Sequence, residues 1–561
     1  MMFLMKTARR ARPCFLAGMM LLLGGLATLA HADLATNLSI DIRALSLGNA
    51  VTADPPGVSA IHYNPAALAK LEGRQFDFQI FSAAMSIESQ FSAPAGYEVF
   101  GYSDDPVVCN DRPDDGEDRC SLFHTGQSEV MGISLYVPVL DEVVDLPDGM
   151  PAAAPLFGFS IKPAGSKFTF ANAFFAPMVA GFHRKENDPG NFLASRAALE
   201  RFTYLSPSIG YQVNDELAIG ASVNLSYQAV ALETDFRSPN VLLGVLRMID
   251  EKVCPQFKGE SNIVIDLFLF GFCNADKGIG PFDNLATLQV SMEQTLSPTY
   301  NLGILWEPSD DFGWGAVYQS EAKMHLHGKF SVDYVPGVQD VFNGVGQSIT
   351  GRILLAILGL PSYIPPSESG LISMDLVYPA HFQTGIKYKV LPDMQINFDI
   401  GWTDYGEWDY FRMKFDREIS VLKLARLLAP GTTTTSLALP LGFQSPWGWK
   451  IGMEYSWNER LKFRLGFEPR NSAIPDDRRS TLVPINQAHL YGAGIGYQFD
   501  KDTSIDLTAA YLYSKDSIPA NTSQSLNSTG LHNIVYNPYA GLDVETEASI
   551  IILGLAYRTL W

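Results

Sequence analysis

The side chains that could do chemistry are scattered along the chain. Beyond residue 32 the histidines are His62, His124, His183, His325, His327, His381, His489 and His532. His325 and His327 stand at i, i+2, which on a strand puts both imidazoles on one face and suits a metal ion, but no third donor is evident nearby. Hydrolysis would need a nucleophile within reach of an activating histidine, and no Gly-x-Ser-x-Gly elbow leads from a strand into a helix. No metal, no cofactor and no enzymatic activity are therefore expected; a barrel phospholipase or protease is the alternative to weigh, as is a purely structural or adhesive barrel.

Four cysteines remain once Cys14 is removed with the leader described below: Cys109, Cys120, Cys254 and Cys273. Each nearby pair falls within one non-strand segment. Of the three connectivities, Cys109–Cys120 with Cys254–Cys273 is expected in an oxidising compartment, and neither spacing resembles a zinc pattern. Around the first pair lie Asp104, Asp105, Asp111, Asp114, Asp115, Glu117 and Asp118, whose spacing does not match a twelve-residue calcium loop, so a solvated acidic loop is expected.

The N-terminus sets the compartment. Lys6, Arg9, Arg10 and Arg12 precede an apolar run over 15–30, and Ala30-His31-Ala32 fits a small-x-small cleavage site, so residues 1–32 read as a secretory signal peptide. An N-terminal anchor is the alternative, and the short run followed by polar, turn-rich sequence argues against it. Cys14 precedes the apolar core, which argues against a lipoprotein. Loss of four basic residues and no acidic one moves the formal charge from −20 to −24, so no nucleic-acid partner is expected.

The elements that must position everything else are strands. Trp447, Trp449, Ile451, Met453, Tyr455 and Trp457 alternate with Gly448, Lys450, Gly452, Glu454 and Ser456. Leu217–Tyr227 and Tyr491–Phe499 repeat this parity, which gives one apolar and one polar face. A soluble sandwich would bury the apolar face against a second sheet. Short polar connections such as Asn458-Glu459-Arg460 and Asp500-Lys501-Asp502 all fall at one end, with Tyr211, Trp306, Trp457 and Phe499 just before them, while the other connections are long. That is the pattern of a transmembrane β-barrel with short periplasmic turns and an aromatic girdle. Strands are placed near 74–91, 128–138, 156–183, 195–213, 217–233, 288–307, 312–331, 371–390, 394–415, 444–457, 461–469, 486–499, 503–514 and 547–561, an even fourteen.

The fold class is thus all-β: an antiparallel barrel over 74–561 with long outer loops at 92–127, 234–287, 332–370, 416–443 and 515–546. Residues 33–73 precede it, and within them 43–72 is rich in small residues, Gly and Pro and lacks alternation, so it reads as a plug in the lumen. Segments 239–253, 341–360 and 417–429 carry helical signals in the outer loops, as caps or as a greasy collecting surface. Segment 341–360 contains Gln347, Ser348 and Arg352 and makes a poor bilayer span. Inward parity nominates Lys387, Lys450, Arg464 and Arg558 as partners for a ligand carboxylate; each could instead pair with Asp399, Glu454 or Glu468. A neutral hydrocarbon or ester would require none of them. Pro177 and Gly181 weaken sheet pairing and could mark an opening in the third strand.

Segment 59–69, SAIHYNPAALA, resembles the NPA-containing hatch of the FadL/TodX family of outer-membrane transporters for long-chain fatty acids and hydrocarbons. The strand-turn-strand units YLSPSIGYQVNDELAIGASV and HLYGAGIGYQFDKDTSIDLTAAY resemble the family as well, and Ala67 departs from its usual Gly. The C-terminal pattern Ile551, Leu553, Leu555, Tyr557, Trp561 looks like the signal read by the outer-membrane barrel-assembly machinery, with Thr559 as a departure. The resemblance implies a monomeric barrel in outer-membrane lipid of a Gram-negative cell. It implies a hatch held by Asn64, Pro65 and Ala66, passive passage of hydrophobic small molecules, and a sideways exit through the wall. Fatty acids, aliphatic or aromatic hydrocarbons and esters all suit such a tunnel.

Overall fold

Alternation of apolar and polar side chains drives the chain into one antiparallel sheet, which in this computed structural model closes on itself. The structure describes residues 40–95, 125–138, 142–147, 150–186, 188–236, 253–256, 284–428, 433–528 and 541–561, with Leu38, Leu140 and Tyr539. Residues 1–32, expected to be a signal peptide, the acidic stretch 104–118 with Cys109 and Cys120, Cys273, and nearly all of 239–253 lie outside them. Cys254 is buried and disulfide-bonded.

The wall has fourteen strands. The first is β1 (Arg74–Ser92), and the second is built from two pieces, β2 (Thr125–Gly132) and β5 (Ala152–Ile161), which pair with the upper and lower parts of β1. The third is β6 (Phe168–Arg184) and the fourth β7 (Arg196–Leu205) continued by β8 (Ser208–Gln212). There follow β9 (Leu217–Phe236), β10 (Ala286–Ser309), β11 (Phe312–Gln319) with β12 (Ala322–Tyr334), and β13 (Ser367–Tyr378) with β14 (His381–Leu391). Then come β15 (Met394–Thr403) with β16 (Tyr410–Phe415), and β17 (Ser436–Pro440) with β18 (Trp447–Ser456). The last four are β19 (Leu461–Arg470), β20 (Ala488–Gln498), β21 (Thr503–Ile518) and β22 (Asp543–Leu560). β22 pairs with β1 from Gln75↔Leu560 to Ser92↔Asp543, leaving no edge at the seam.

The expected count of fourteen stands, but two boundaries are corrected. The stretch 156–183 is not one strand: a turn at 162–167 divides it between β5 and β6, where Ser166 N donates to Pro163 O at 2.9 Å and Gly165 takes φ +72°. Pro163 and Gly165 are the turn signal that the apolar runs on either side obscured. Residues 128–138 likewise divide, because β3 (Ser134–Val137) leaves the wall and pairs with β4 (Glu142–Asp145) as a separate hairpin. Several strands also rise further into the expected loops, as β17 does within 416–443 and β22 within 515–546.

Lipid-facing parity is as the alternation requires. Ile551, Leu553, Leu555 and Tyr557 are exposed on β22, as are Tyr491, Ile495 and Tyr497 on β20, and Trp306, Trp457 and Phe499 stand exposed by the short turns. Over 341–360 the expected helical stretch is two helices, α3 (Pro336–Gln347) and α4 (Ile349–Leu358), bent by 113°. Ser348 causes the break: it is extended, and its Oγ caps α4 by accepting from Gly351 N. A third loop helix, α5 (Ser420–Leu428), forms within 417–429. Among the described residues no single helix is long and apolar enough to cross a bilayer.

Candidate functional site: lumen, hatch and wall opening

Residues 40–71 lie inside the barrel and are almost wholly buried. Two short helices, α1 (Ile42–Ser46) and α2 (Ala60–Tyr63), and a 3₁₀ turn over Pro65–Lys70 give the hatch its shape. Asn64 is extended, as a residue before proline should be, and caps the turn by accepting from Ala66 N at 3.2 Å. Its Nδ2 donates to Thr52 O at 2.9 Å and to Ile304 O on β10 at 3.0 Å, so one side chain ties two parts of the hatch to the wall.

Wall glycines admit this close approach. A Cβ on Gly303 would lie 2.1 Å from Asn64 Oδ1, one on Gly220 2.2 Å from the Pro65 carbonyl, and one on Gly315 2.4 Å from Thr52 O. Across the lumen Gly466 meets the Gly48 backbone and Gly492 the Leu45 carbonyl in the same way. These glycines occupy inward positions of the alternation. Glycine recurring at inward positions of the strands is the sequence mark of a wall that a plug approaches closely.

Of the four nominated cations, Lys387 and Arg558 reach carboxylates of the hatch, and Lys450 and Arg464 pair with carboxylates of the wall. Lys387 pairs with Glu307 at 2.5 Å and lies 3.8 Å from Asp54; Lys450 lies 3.5 Å from Glu468 and donates to Gln383. Arg464 pairs with Glu454 and Asp506, and Arg558 with Asp41, Asp77 and Asp506. Hatch Arg43 joins Asp54 at 2.6 Å and Glu454 at 3.2 Å. Burial by itself would raise the Asp54 carboxyl, but Arg43 and Lys387 outweigh it and hold the group below its ordinary value. The pairings of Arg464 with Glu454 and of Lys450 with Glu468 are among those the alternation allowed.

Above the hatch lies an apolar cavity of about 370 Å³, lined among others by Met178, Phe182, Met292, Met374, Met413 and Phe443. None of the four nominated cations lines it; Arg470 and Asn486 are its polar contacts, and Arg470 is paired with Glu468 at 3.0 Å. Arg470 and Asn486 were missed because Pro469 and the polar stretch beyond it obscure which way these residues face. His325 stands on the outer face with Nδ1 2.6 Å from Asp375 Oδ1, and no group of three or more metal donors occurs among the described residues.

The same cavity passes through the wall. β5 pairs with β6 only from Phe157↔Phe174 to Ile161↔Phe170, and β2 meets β6 only at Val130↔Arg184 and Gly132↔His183, so the ladder is interrupted between Phe174 and His183. A bulge between Phe175 and Met178, containing Pro177, reverses the parity of β6 there. Cavity-lining residues include lumenal Met292 and also Phe202 and Leu135 on the outer side of the opening. The β3–β4 hairpin folds against the outer face: Tyr136 packs on Tyr227 and Ala229, its N–H donates to Glu200 Oε1 at 2.7 Å, and Asp145 pairs with Arg196 at 2.7 Å.

Residues 25–561 match the family described as outer membrane protein transport protein (OMPP1/FadL/TodX). The chain belongs to this family. The FadL/TodX barrel is shared with a Pseudomonas aeruginosa FadL homologue (TM-score 0.62, 16% identity, 94% of this chain and 100% of that one). It is shared too with the P. putida toluene transporter TodX (TM-score 0.56, 14% identity, 95% and 99%). Among curated relatives, the long-chain fatty acid transport protein of Escherichia coli O6:H1 is 24% identical over 215 residues, 38% of this chain and 42% of that protein. That of Salmonella typhi is 22% identical over 214 residues, 38% and 42%. The matched stretch therefore spans well under half of either relative. Members of the FadL/TodX family are transport proteins rather than enzymes.

Proposed function

We propose that the chain carries hydrophobic compounds, long-chain fatty acids or related lipophilic molecules, passively across the outer membrane of a Gram-negative cell. The observation that carries this reading is the apolar cavity, which lies over the hatch and extends through the interrupted wall to the β3–β4 hairpin on its outer side. A greasy entrance supports it: on α4, Ile349 and Ile357 are 71% and 77% exposed, and Ile353 lies between them on the same face. A substrate captured there enters the cavity and leaves sideways between β5 and β6, where no aqueous step is needed.

In this reading Asn64, Pro65 and Ala66 fix the hatch, Lys387 and Arg558 anchor it to the wall, and Lys450 and Arg464 brace the wall around it, none of the four serving as a ligand contact. Residues 1–32 are removed on export, Cys109–Cys120 and Cys254–Cys273 are the disulfides, and the barrel is a monomer inserted by the barrel-assembly machinery. Uptake of radiolabelled oleate and hexadecane by cells lacking their own transporter tests it. Uptake that depends on the protein is expected; none of either compound, with a correctly assembled barrel, would sink the proposal.

A further inference from the structure

A separate two-stranded sheet covers the wall opening. β3 and β4 pair only with each other, from Ser134↔Asp145 to Val137↔Glu142, and share no backbone ladder with the wall. Ile133 and Leu135 line the cavity, so the hairpin caps its outer end. The fit is close: a Cβ on Gly181 of β6 would overlap Ser134 O, and one on Gly132, at the base of the hairpin, would crowd the His183 ring.

Side chains hold the hairpin down. The Tyr136 N–H reaches Glu200 Oε1 at 2.7 Å and Asp145 pairs with Arg196 at 2.7 Å, both across to β7. Ser134 Oγ donates to Asp145 Oδ1 at 2.6 Å and stands 3.2 Å from His183 Nδ1, while the Tyr136 ring packs on Tyr227 and Ala229. A wall strand leaves only when a whole ladder breaks, whereas this hairpin leaves when a few side-chain contacts do. Two strands alone are marginally stable in water, so the order of the hairpin depends on its docking.

Docking also carries a cost. Glu200 is 1% exposed, yet its Oε2 has no hydrogen-bond partner among the described residues. A buried acceptor without a donor is unfavourable, and one on a carboxylate more so. Gly181 lies close to the upper end of the 17-residue β6. At about 3.3 Å per residue and a tilt of about 40°, the hairpin stands on the order of 30 Å above the periplasmic end, where the apolar band gives way to headgroups and water. Lifting there gives Glu200 and the Tyr136 N–H to water. The docked position therefore sets a few favourable contacts against an unfavourable one, a balance suited to a moving part.

We propose that the β3–β4 hairpin is a lid over the wall opening, held shut by Arg196 and Glu200, and that its lifting sets the rate at which a substrate leaves the cavity. The inference rests on the transport reading and deepens it, since a molecule that goes out between β5 and β6 must pass Ile133 and Leu135.

Oleate uptake by cells and oleate affinity in detergent are measured for wild type and for Asp145→Cys combined with Arg196→Cys, whose two thiols a short bis-methanethiosulfonate bridges. Unbridged, the double variant is expected to take up oleate at least as fast as wild type. Bridged, its uptake should fall at least tenfold with affinity within twofold, and recover on reduction; neither reagent nor reductant should change wild type. Uptake by the bridged protein at the unbridged rate would overturn the lid. An equal loss with a one-armed methanethiosulfonate would overturn it too, because the passage would then be blocked without a locked hairpin. Assembly is checked by the heat-dependent mobility of the barrel on gels, and Arg196→Ala carries the test should the double variant fail. Hydrogen exchange at Tyr136 should then quicken at least tenfold while β9 and β10 stay protected, and Arg196→Lys should keep most of the protection; unchanged exchange in R196A would overturn the catch. Wild-type protein that takes up no oleate would overturn the transport reading itself, a result distinct from a bridged barrel that transports freely.

Discussion

Arg558, three residues from the end of the chain, donates from NH2 to Asp41 Oδ2 at 2.8 Å, so the closing strand grips the first helix of the hatch. Asp41 also accepts from Ser59 Oγ at 2.6 Å, from Gln79 Nε2 at 2.7 Å and from Ala44 N at 3.0 Å. Removing one partner of a buried pair costs about 3–5 kcal/mol because the other charge is left uncompensated. Arg558→Ala is therefore expected to free the hatch while the barrel stays closed. Proteolysis within 40–70 and sensitivity of cells to large antibiotics should both rise; a hatch as protected as wild type would refute the anchoring role.

Gly303 is predicted to tolerate no side chain. Its Cβ would overlap Asn64 Oδ1, which already serves Ala66 N. Gly303→Val should displace the NPA turn, and hydrogen exchange of Ala66 and Ala67 should quicken at least tenfold; unchanged exchange would mean the wall yields instead.

Acid should loosen the hatch. Burial, aided by His381 and Lys450, pushes the His62 imidazole from an ordinary 6.5 down to about 3, so the docked hatch keeps it neutral. An undocked hatch binds the proton near 6.5, so docking weakens as pH falls from about 6.5 toward 3. At pH 5 the loss is about 2 kcal/mol at 1.36 kcal/mol per unit. Measured as hatch protection from exchange at pH 7.5 and 5, the effect should shrink in His62→Asn; an equal pH response in that variant would assign it elsewhere.

The wall opening offers a separation of binding from release. A Cβ on Gly181 would stand 2.0 Å from Ser134 O of the hairpin, so Gly181→Leu must fill the passage or push the hairpin away. The first outcome should leave oleate affinity in detergent within twofold and lower uptake several-fold. Uptake at the wild-type rate would argue against exit through this gap.

Entrance is tested by Ile349→Ser, Ile353→Ser and Ile357→Ser combined. Losing the exposed apolar face of α4 should raise the half-saturating substrate concentration several-fold and leave the maximal rate unchanged. A fall in maximal rate alone would place the substitution's effect beyond capture.

Much of this was written locally. Alternation in stretches such as Trp447–Ser456 determines a strand with one lipid face and one lumen face, since the side-chain period of two leaves no other way to satisfy a membrane. Asn64 before Pro65 determines an extended residue that caps a turn, and the absence of alternation over 43–72 determines that this segment is not wall. What local pattern could not decide is which of many inward charges meet. Lys387, Lys450, Arg464 and Arg558 look alike in sequence, yet Lys450 meets Glu468 on β19, Arg464 meets Glu454 on β18 and Asp506 on β21, Lys387 meets Glu307 on β10, and Arg558 reaches Asp41 of the hatch. The division of 156–183 between two strands and the exit of β3–β4 from the wall were likewise tertiary decisions, because a strand's partners, and not its own residues, determine where a ladder is interrupted.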